Sequence, residues 1–356
     1  MTRTHTDPLP ATVVNDRGKQ LRRIDILKAR NIEPSIIADE SSRRRYAHNW
    51  EAMEDNLGER NFEDLFHLLR LIYVKDKPQQ DLLNEFQHRV FDRPAMPTRG
   101  KRFLDELDDF AQLYQQLFVD RDFMEGDEED TRFKTMMWAM VGHFHASEWK
   151  ACVLSYAHSF GKEGIYTYLL FIEKVYLGHW AMAMRKDERY AVYTDLLKAI
   201  DSGRSGSDAV AAVKPSVHDI RDACLVPNFY STGYCKYMLL RAEISASELH
   251  DPRYFTVRSI EHVLPQNPGS GSQWRKWFNQ REIDDSVNKA GNLVLLSKGK
   301  NSSAGNRELT EKQEKYLKPR VSDFSRSMQV LGYSEWSKQA IDERTEAFAD
   351  LILANP

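Results

Sequence analysis

The sequence predicts a mainly α-helical protein: a helical bundle, then a small strand–loop–strand–helix module, then C-terminal helices. Three observations carry that expectation. Apolar residues recur at three- and four-residue intervals through most of the chain. After Pro252 the pattern changes to β-branched and aromatic runs. No stretch approaches the roughly 18 uninterrupted apolar residues that a membrane-spanning helix needs.

Taken in order, Met1 to Lys28 offers Pro, Asn, Asp and Arg where a secretory signal would need an apolar core of about 7–15 residues. A cytoplasmic protein with no membrane association is the expectation. Phe62, Leu65, Phe66, Leu69, Ile72 and Tyr73 form the stripe of a helix burying one face. The same spacing returns at Phe103, Leu107, Phe110, Tyr114, Leu117 and Phe118, and at Ile341, Phe348, Leu351 and Ile352. Tyr166 to Met184 is apolar nearly all round, the mark of a buried central helix. Turn formers break the pattern at Lys75 to Pro78, Arg93 to Gly100, the acidic Glu125 to Asp130, and Asp201 to Ser207.

From Tyr254 through Ile260 an aromatic and β-branched run leads into Glu261-His262-Val263-Leu264-Pro265, which reads as a strand that Pro265 brings to an end. A short helix with Trp274 and Trp277 follows, then a second strand over Asn292 to Leu296. A helix runs through Leu309, Lys312 and Tyr316 until Pro319.

The 356 residues carry 50 Lys+Arg against 53 Asp+Glu, enough chain for two or three domains and a total charge that neither favours nor excludes nucleic acid. Its distribution is more telling. Between Arg253 and Arg320 there are 13 Lys+Arg against 7 Asp+Glu, so the strand–helix module is basic while the remainder is acidic. Cys152, Cys224 and Cys235 contain no C-x-x-C pair, which argues against a zinc knuckle and a disulfide framework and predicts buried free thiols.

Within the basic module, Glu261, His262, Asn292 and Asn301 have the parts needed to hydrolyse a phosphodiester. A neutral imidazole takes the proton from an attacking water. One carboxylate and one amide oxygen suffice for Mg²⁺, which keeps several waters. Lys298 and Lys300 flank Asn301 and suit a phosphate. Adjacent strand residues face opposite ways, so Glu261 and His262 share a site only if the strand ends or twists there. Each residue also has an ordinary reading: His262 a hydrogen-bonded histidine, Glu261 a surface carboxylate, Asn292 a turn former after Gly291, Asn301 a helix cap.

The strings Ile260-Glu261-His262-Val263-Leu264-Pro265-Gln266 and Gly291-Asn292-Leu293-Val294-Leu295-Leu296, followed by Asn301 and by Leu309, Lys312 and Tyr316, resemble the C-terminal HNH nuclease domain of GmrSD-type type IV restriction enzymes. The resemblance implies a ββα-metal fold. It makes His262 the general base, Glu261 and Asn301 the residues beside an Mg²⁺ or Mn²⁺ ion, and Asn292 the middle residue that positions the His-bearing loop. Lys312 carries over as a phosphate contact, or stands as a solvated helix lysine.

A second resemblance lies in Asn15-Asp16-Arg17-Gly18-Lys19, Leu21 and Asp25-Ile26-Leu27-Lys28, which looks like the closing segment of the ParB-like nucleotide-handling domain preceding the nuclease in that family. An ordinary turn before a helix near Arg23 is the other reading. The Asp-Gly-Gln-Gln-Arg string of that domain is absent. The implied organisation is a ParB-like remnant with connecting helices at 1–50, a helical middle at 51–250, and the nuclease with C-terminal helices at 251–356, as a truncated member or one gene of a split pair.

The function expected is a divalent-metal-dependent HNH endonuclease acting on DNA, a component of modification-dependent restriction or phage defence. Two copies of a single-site module are a simple way to cut both strands. The rival readings are a DNA-binding or regulatory subunit whose partner supplies the nucleotide-handling half, and a nuclease toxin. His143 and His145, two residues apart, do not share a helix face. Arg43 to Arg45 read as a basic face snorkelling over apolar neighbours, and Trp274 and Trp277 as anchors of the insertion between the strands.

Overall fold

A computed structural model describes residues 22–203, 205–211, 213–297, 305–317 and 322–356. The chain divides into two compact units, Met1–Gln115 and Gln116–Pro356.

The first unit is built from α1 (Arg23–Asn31), α2 (Glu40–Leu57), α3 (Glu59–Val74), α4 (Leu82–Glu85), which runs on as a π-helical turn to Phe91, and α5 (Lys101–Tyr114). Asp39 caps α2 by accepting the Ser42 N–H at 2.7 Å. Gly58, at φ +75°, ends α2 and starts α3 within a single residue, a backbone conformation that favours glycine. The predicted stripe is the core: Phe62 and Phe66 meet Trp50, and Phe66 meets Phe86 and Phe103, at centroid distances of 5.3 to 6.4 Å. Arg43 donates to the Ile37 and Ala38 carbonyls, Arg44 pairs with Glu40, and the Arg45 guanidinium lies 5.0 Å over the Tyr46 ring. The helix expected near Arg23 starts there. The motif residues Asn15 to Leu21 lie outside the described residues.

The second unit opens with α6 (Asp130–His143), α7 (Glu148–Phe160), α8 (Ile165–Ala181), α9 (Lys186–Ser202), α10 (Gly206–Ala211), α11 (Val217–Leu225) and α12 (Cys235–Ser245). Helix α8 is buried on nearly every face, as its uninterrupted apolar run predicts, with α7 and α11 packed on it. A charge inside this core is paired: Glu173 accepts from the Tyr237 hydroxyl at 2.7 Å and forms an ion pair with Arg241, whose Nε lies 2.8 Å away. The acidic run is exposed from Glu125 to Glu128 and half-buried at Glu129 and Asp130, with Asp127 paired to Lys162 at 2.9 Å. All three cysteines are free and buried, and burial pushes their thiols up, Cys224 and Cys235 to about 12. Among the described residues no helix is long and apolar enough to cross a membrane.

There follow β1 (Ser259–His262), α13 (Gln273–Trp277), α14 (Gln280–Ser286), β2 (Leu293–Leu296), α15 (Leu309–Lys312), which continues as a π-helical turn to Leu317, α16 (Ser325–Met328) and α17 (Lys338–Leu353). The two strands form an antiparallel ribbon in which Glu261 faces Val294 and His262 faces Leu293. One expectation is corrected here: the run from Tyr254 begins its ladder only at Ser259. The earlier aromatics pack singly, Phe255 stacked on Phe324 at 5.6 Å and Tyr254 against Trp138 at 5.8 Å. The local propensity is that of a strand, but β1 pairs only with the four residues of β2, and a strand exists only where it has a partner.

The ribbon, α13 to α15 and α17 enclose one apolar core that includes Val263, Leu264, Trp274, Val294, Leu309, Trp336 and Ile341. Gly291, just before β2, allows α17 its close approach: its N–H donates to Thr345 Oγ1 at 3.0 Å, and a Cβ there would overlap the Ile341 carbonyl oxygen. The obstacle is helix backbone, which cannot swing aside. Gly291→Ala is therefore expected to lower stability by roughly 2–3 kcal/mol, measured as a drop in the urea midpoint with an unchanged slope.

Candidate active site

Strand β1 ends at His262; Glu261 and His262 are its last two ladder residues, paired with Val294 and Leu293, so the pleat sends their side chains to different partners. Both are sheltered, Glu261 at 2 % and His262 at 5 % exposure. Glu261 Oε1 accepts from Lys312 Nζ at 2.9 Å. The same ammonium donates to the backbone oxygens of His262 at 2.6 Å, Val263 at 3.1 Å and Gly305 at 3.2 Å. Lys312 is 1 % exposed with its ammonium on these four oxygens, so neither reading offered for it, a phosphate contact or a solvated helix lysine, holds. Its orientation follows from helix geometry: Leu309, buried one turn earlier, puts position 312 on the same inward face.

The His262 ring is held on two sides. Its Nε2 lies 3.1 Å from Asn288 Oδ1, and the Tyr230 ring meets it edge-on with centroids 4.5 Å apart. Tyr230 comes from the 3₁₀ turn Phe229–Ser231, and its N–H donates to the Asn288 carbonyl at 3.0 Å. Gln266 Nε2 also reaches Asn288 Oδ1, at 3.4 Å. Tyr230, 39 % exposed, and Asn288 are site residues that the sequence reading misses. Neither belongs to a regular interval from His262, and the only local sign is an aromatic in a turn rich in Asn, Ser, Thr and Gly.

Asn292 is fully buried and uses its whole amide. Oδ1 accepts from the Leu264 N–H at 2.7 Å and from Trp336 Nε1 at 3.0 Å, while Nδ2 donates to the Leu264 carbonyl at 3.0 Å and to the Val287 carbonyl at 2.8 Å. Four bonds fill its hydrogen-bonding capacity. Asn292 thus clamps both backbone groups of Leu264 and fixes the chain just after His262 leaves the ribbon.

Behind this segment lies a second set of polar contacts. Arg326 donates to the carbonyls of Leu293 (3.0 Å) and Ala290 (2.8 Å), and Arg344 to that of Gly291 (3.0 Å). Helix α12 joins through Glu243, which accepts from the Ser327 hydroxyl at 2.6 Å, while Ser327 Oγ accepts the Leu295 N–H at 3.0 Å.

The structure thus brings Glu261, His262, Asn292 and Lys312 to one end of the ribbon. Asn301, Lys298 and Lys300 lie outside the described residues. Among the described residues no group of three or more His, Cys, Asp or Glu could hold a metal ion. The carboxylate at the strand end, Glu261, is nearly enclosed and already has Oε1 on Lys312. His143 Nδ1 lies 2.9 Å from the Ala139 carbonyl within its own helix. Trp274 is buried, with its Nε1 donating to the Arg307 carbonyl at 3.0 Å and Trp277 edge-on against it, the anchoring that the sequence suggested.

Residues 214–351 match the family described as GmrSD restriction endonucleases, C-terminal domain. The match takes in both strands, the helix that carries Lys312, and the Tyr230, Arg326 and Arg344 contacts. No curated protein matches the chain.

Proposed function

We propose that residues 251–356 form an HNH-type ββα-metal endonuclease that hydrolyses DNA phosphodiester bonds, as part of a restriction or phage-defence system. The observation that carries this reading is the imidazole of His262, held at the end of β1 beside a carboxylate pinned by Lys312, inside a region similar to restriction endonucleases.

The chemistry follows from the hydrogen bonds. In the tautomer whose Nε2–H donates to the Asn288 amide oxygen, Nδ1 is the nitrogen that would take a proton from water. The water oxygen bonds to phosphorus as the ester P–O bond breaks, and solvent supplies the proton for the leaving oxygen. Tyr230 and Asn288 restrict rotation of the ring, so the base is presented in one orientation. Asn292 acts on the loop after His262 and is a positioning residue. Lys312 acts in the same way, through Glu261 and the His262 carbonyl. Glu261, with Asn301, would hold an Mg²⁺ or Mn²⁺ ion, which would supply positive charge for the departing oxygen. Lys298 and Lys300 supply phosphate contacts in a segment of net positive charge.

Purified protein is expected to nick supercoiled plasmid in Mg²⁺ or Mn²⁺ and to lose that activity completely on chelation. DNA retention should fall steeply between low and physiological salt. Cutting that survives exhaustive metal removal would exclude the single-ion reading. A flat salt response would exclude the basic module as the DNA-facing surface.

A further inference from the structure

Arg326 and Arg344, 2 % and 6 % exposed, line one cavity of about 430 Å³ with Gln329, Ala347, Asp350 and Leu351. Their guanidiniums donate to neutral acceptors: the three carbonyls of the 290–293 segment and, weakly, Gln329 Oε1 at 3.5 Å. Among the described residues neither guanidinium forms an ion pair. The carboxylate that acts on both, Glu243, accepts instead from the backbone N–H of Arg326 at 2.6 Å and from the N–H and hydroxyl of Ser327. Asp350, the one acid on the cavity wall, is paired with Arg221 at 2.8 Å.

The electrostatics of this arrangement are lopsided. Burial holds the Glu243 carboxyl above its ordinary range. Burial and the Arg344 charge pull Arg326 down to about 9, which leaves it protonated at neutral pH. Two like charges are therefore buried on one cavity wall, and the nearest buried carboxylate, Glu243, spends its hydrogen bonds on the backbone and hydroxyl of the 326–327 segment and not on either guanidinium, an arrangement that is costly in a low dielectric. An anion in the cavity offsets that cost. Planar guanidiniums match the oxygens of phosphate better than they match a spherical halide.

We propose that this cavity binds a tetrahedral oxyanion of the phosphate class, held by Arg326 and Arg344. The site lies behind the segment that carries Asn292 and is separate from His262. It does not rest on the cutting reaction, and its test is a binding measurement.

Inorganic phosphate is titrated into the full chain by calorimetry and by thermal unfolding, with chloride matching the ionic strength. At ten times the dissociation constant the unfolding midpoint should rise by about 4 °C. Arg326 and Arg344 variants can fail to fold, so the decisive variants are Gln329→Glu and Ala347→Glu, both exposed at the cavity and making none of the carbonyl contacts. Each should fold and weaken phosphate binding at least tenfold. Displacement of phosphate by a short DNA duplex would assign the oxyanion to a nucleic-acid backbone, and retention would assign it to free phosphate or a monoester. No saturable response beyond that of chloride, or an undiminished response in both glutamate variants, overturns the proposal.

Discussion

His262→Ala is expected to lower plasmid nicking by on the order of 10²–10⁴-fold while the protein keeps its fold. The size of the effect follows from what the ring does. His143, the histidine singled out in the helical region, bonds the Ala139 carbonyl within its own helix and offers no substitute base. The structural cost should be small by comparison. The substitution removes one hydrogen bond to Asn288, worth about 1 kcal/mol, and one edge contact with Tyr230. Circular dichroism and a thermal midpoint near that of the parent separate lost chemistry from lost structure. Asn288→Ala provides the internal check. It leaves the imidazole present but unoriented, so activity should fall by a smaller factor, with a changed pH profile if the proton on Nε2 is no longer fixed. Full nicking by His262→Ala would end the assignment of the general base.

What the sequence made legible, and what it did not, divides along a physical line. Helix faces were readable because burying one side of a cylinder imposes its own period: the Phe62 to Tyr73 stripe became α3, and the run from Tyr166 became a helix buried on nearly all sides. The site end of the ribbon was readable because Glu261-His262 and Gly291-Asn292 are contiguous strings whose spacing reflects one hairpin-like unit. The strand from Tyr254 was not, since aromatic and β-branched residues report a tolerance for extended backbone and say nothing about a partner. Tyr230 and Asn288 reach His262 from 32 and 26 positions away in a chain that leaves no periodic trace of the meeting. Arg326, Arg344 and Glu243 were equally silent. A buried ion looks like a surface ion until the fold encloses it.

Lys312 shows how far that enclosure can change a reading, and its removal is the second large effect expected. Lys312→Met keeps most of the side-chain volume and takes away the ammonium. That leaves the Glu261 carboxylate, at 2 % exposure, without its 2.9 Å partner and three backbone oxygens without a donor. Breaking one side of a buried pair costs about 3–5 kcal/mol, a large share of the stability of a domain this size. Solvent screening offers little relief, because both side chains are almost wholly enclosed. The double variant Glu261→Gln with Lys312→Met tests the cause. If the penalty comes from the stranded charge, neutralising Glu261 should restore at least half of it, and the coupling appears directly in a double-mutant cycle by urea unfolding. If instead the loss comes from the carbonyls of His262, Val263 and Gly305, the double variant should be no more stable than Lys312→Met alone. A Lys312→Met protein that unfolds at the parent's urea midpoint would show that the ammonium does not pin the strand end. The orientation of Glu261 beside His262 would then need another source.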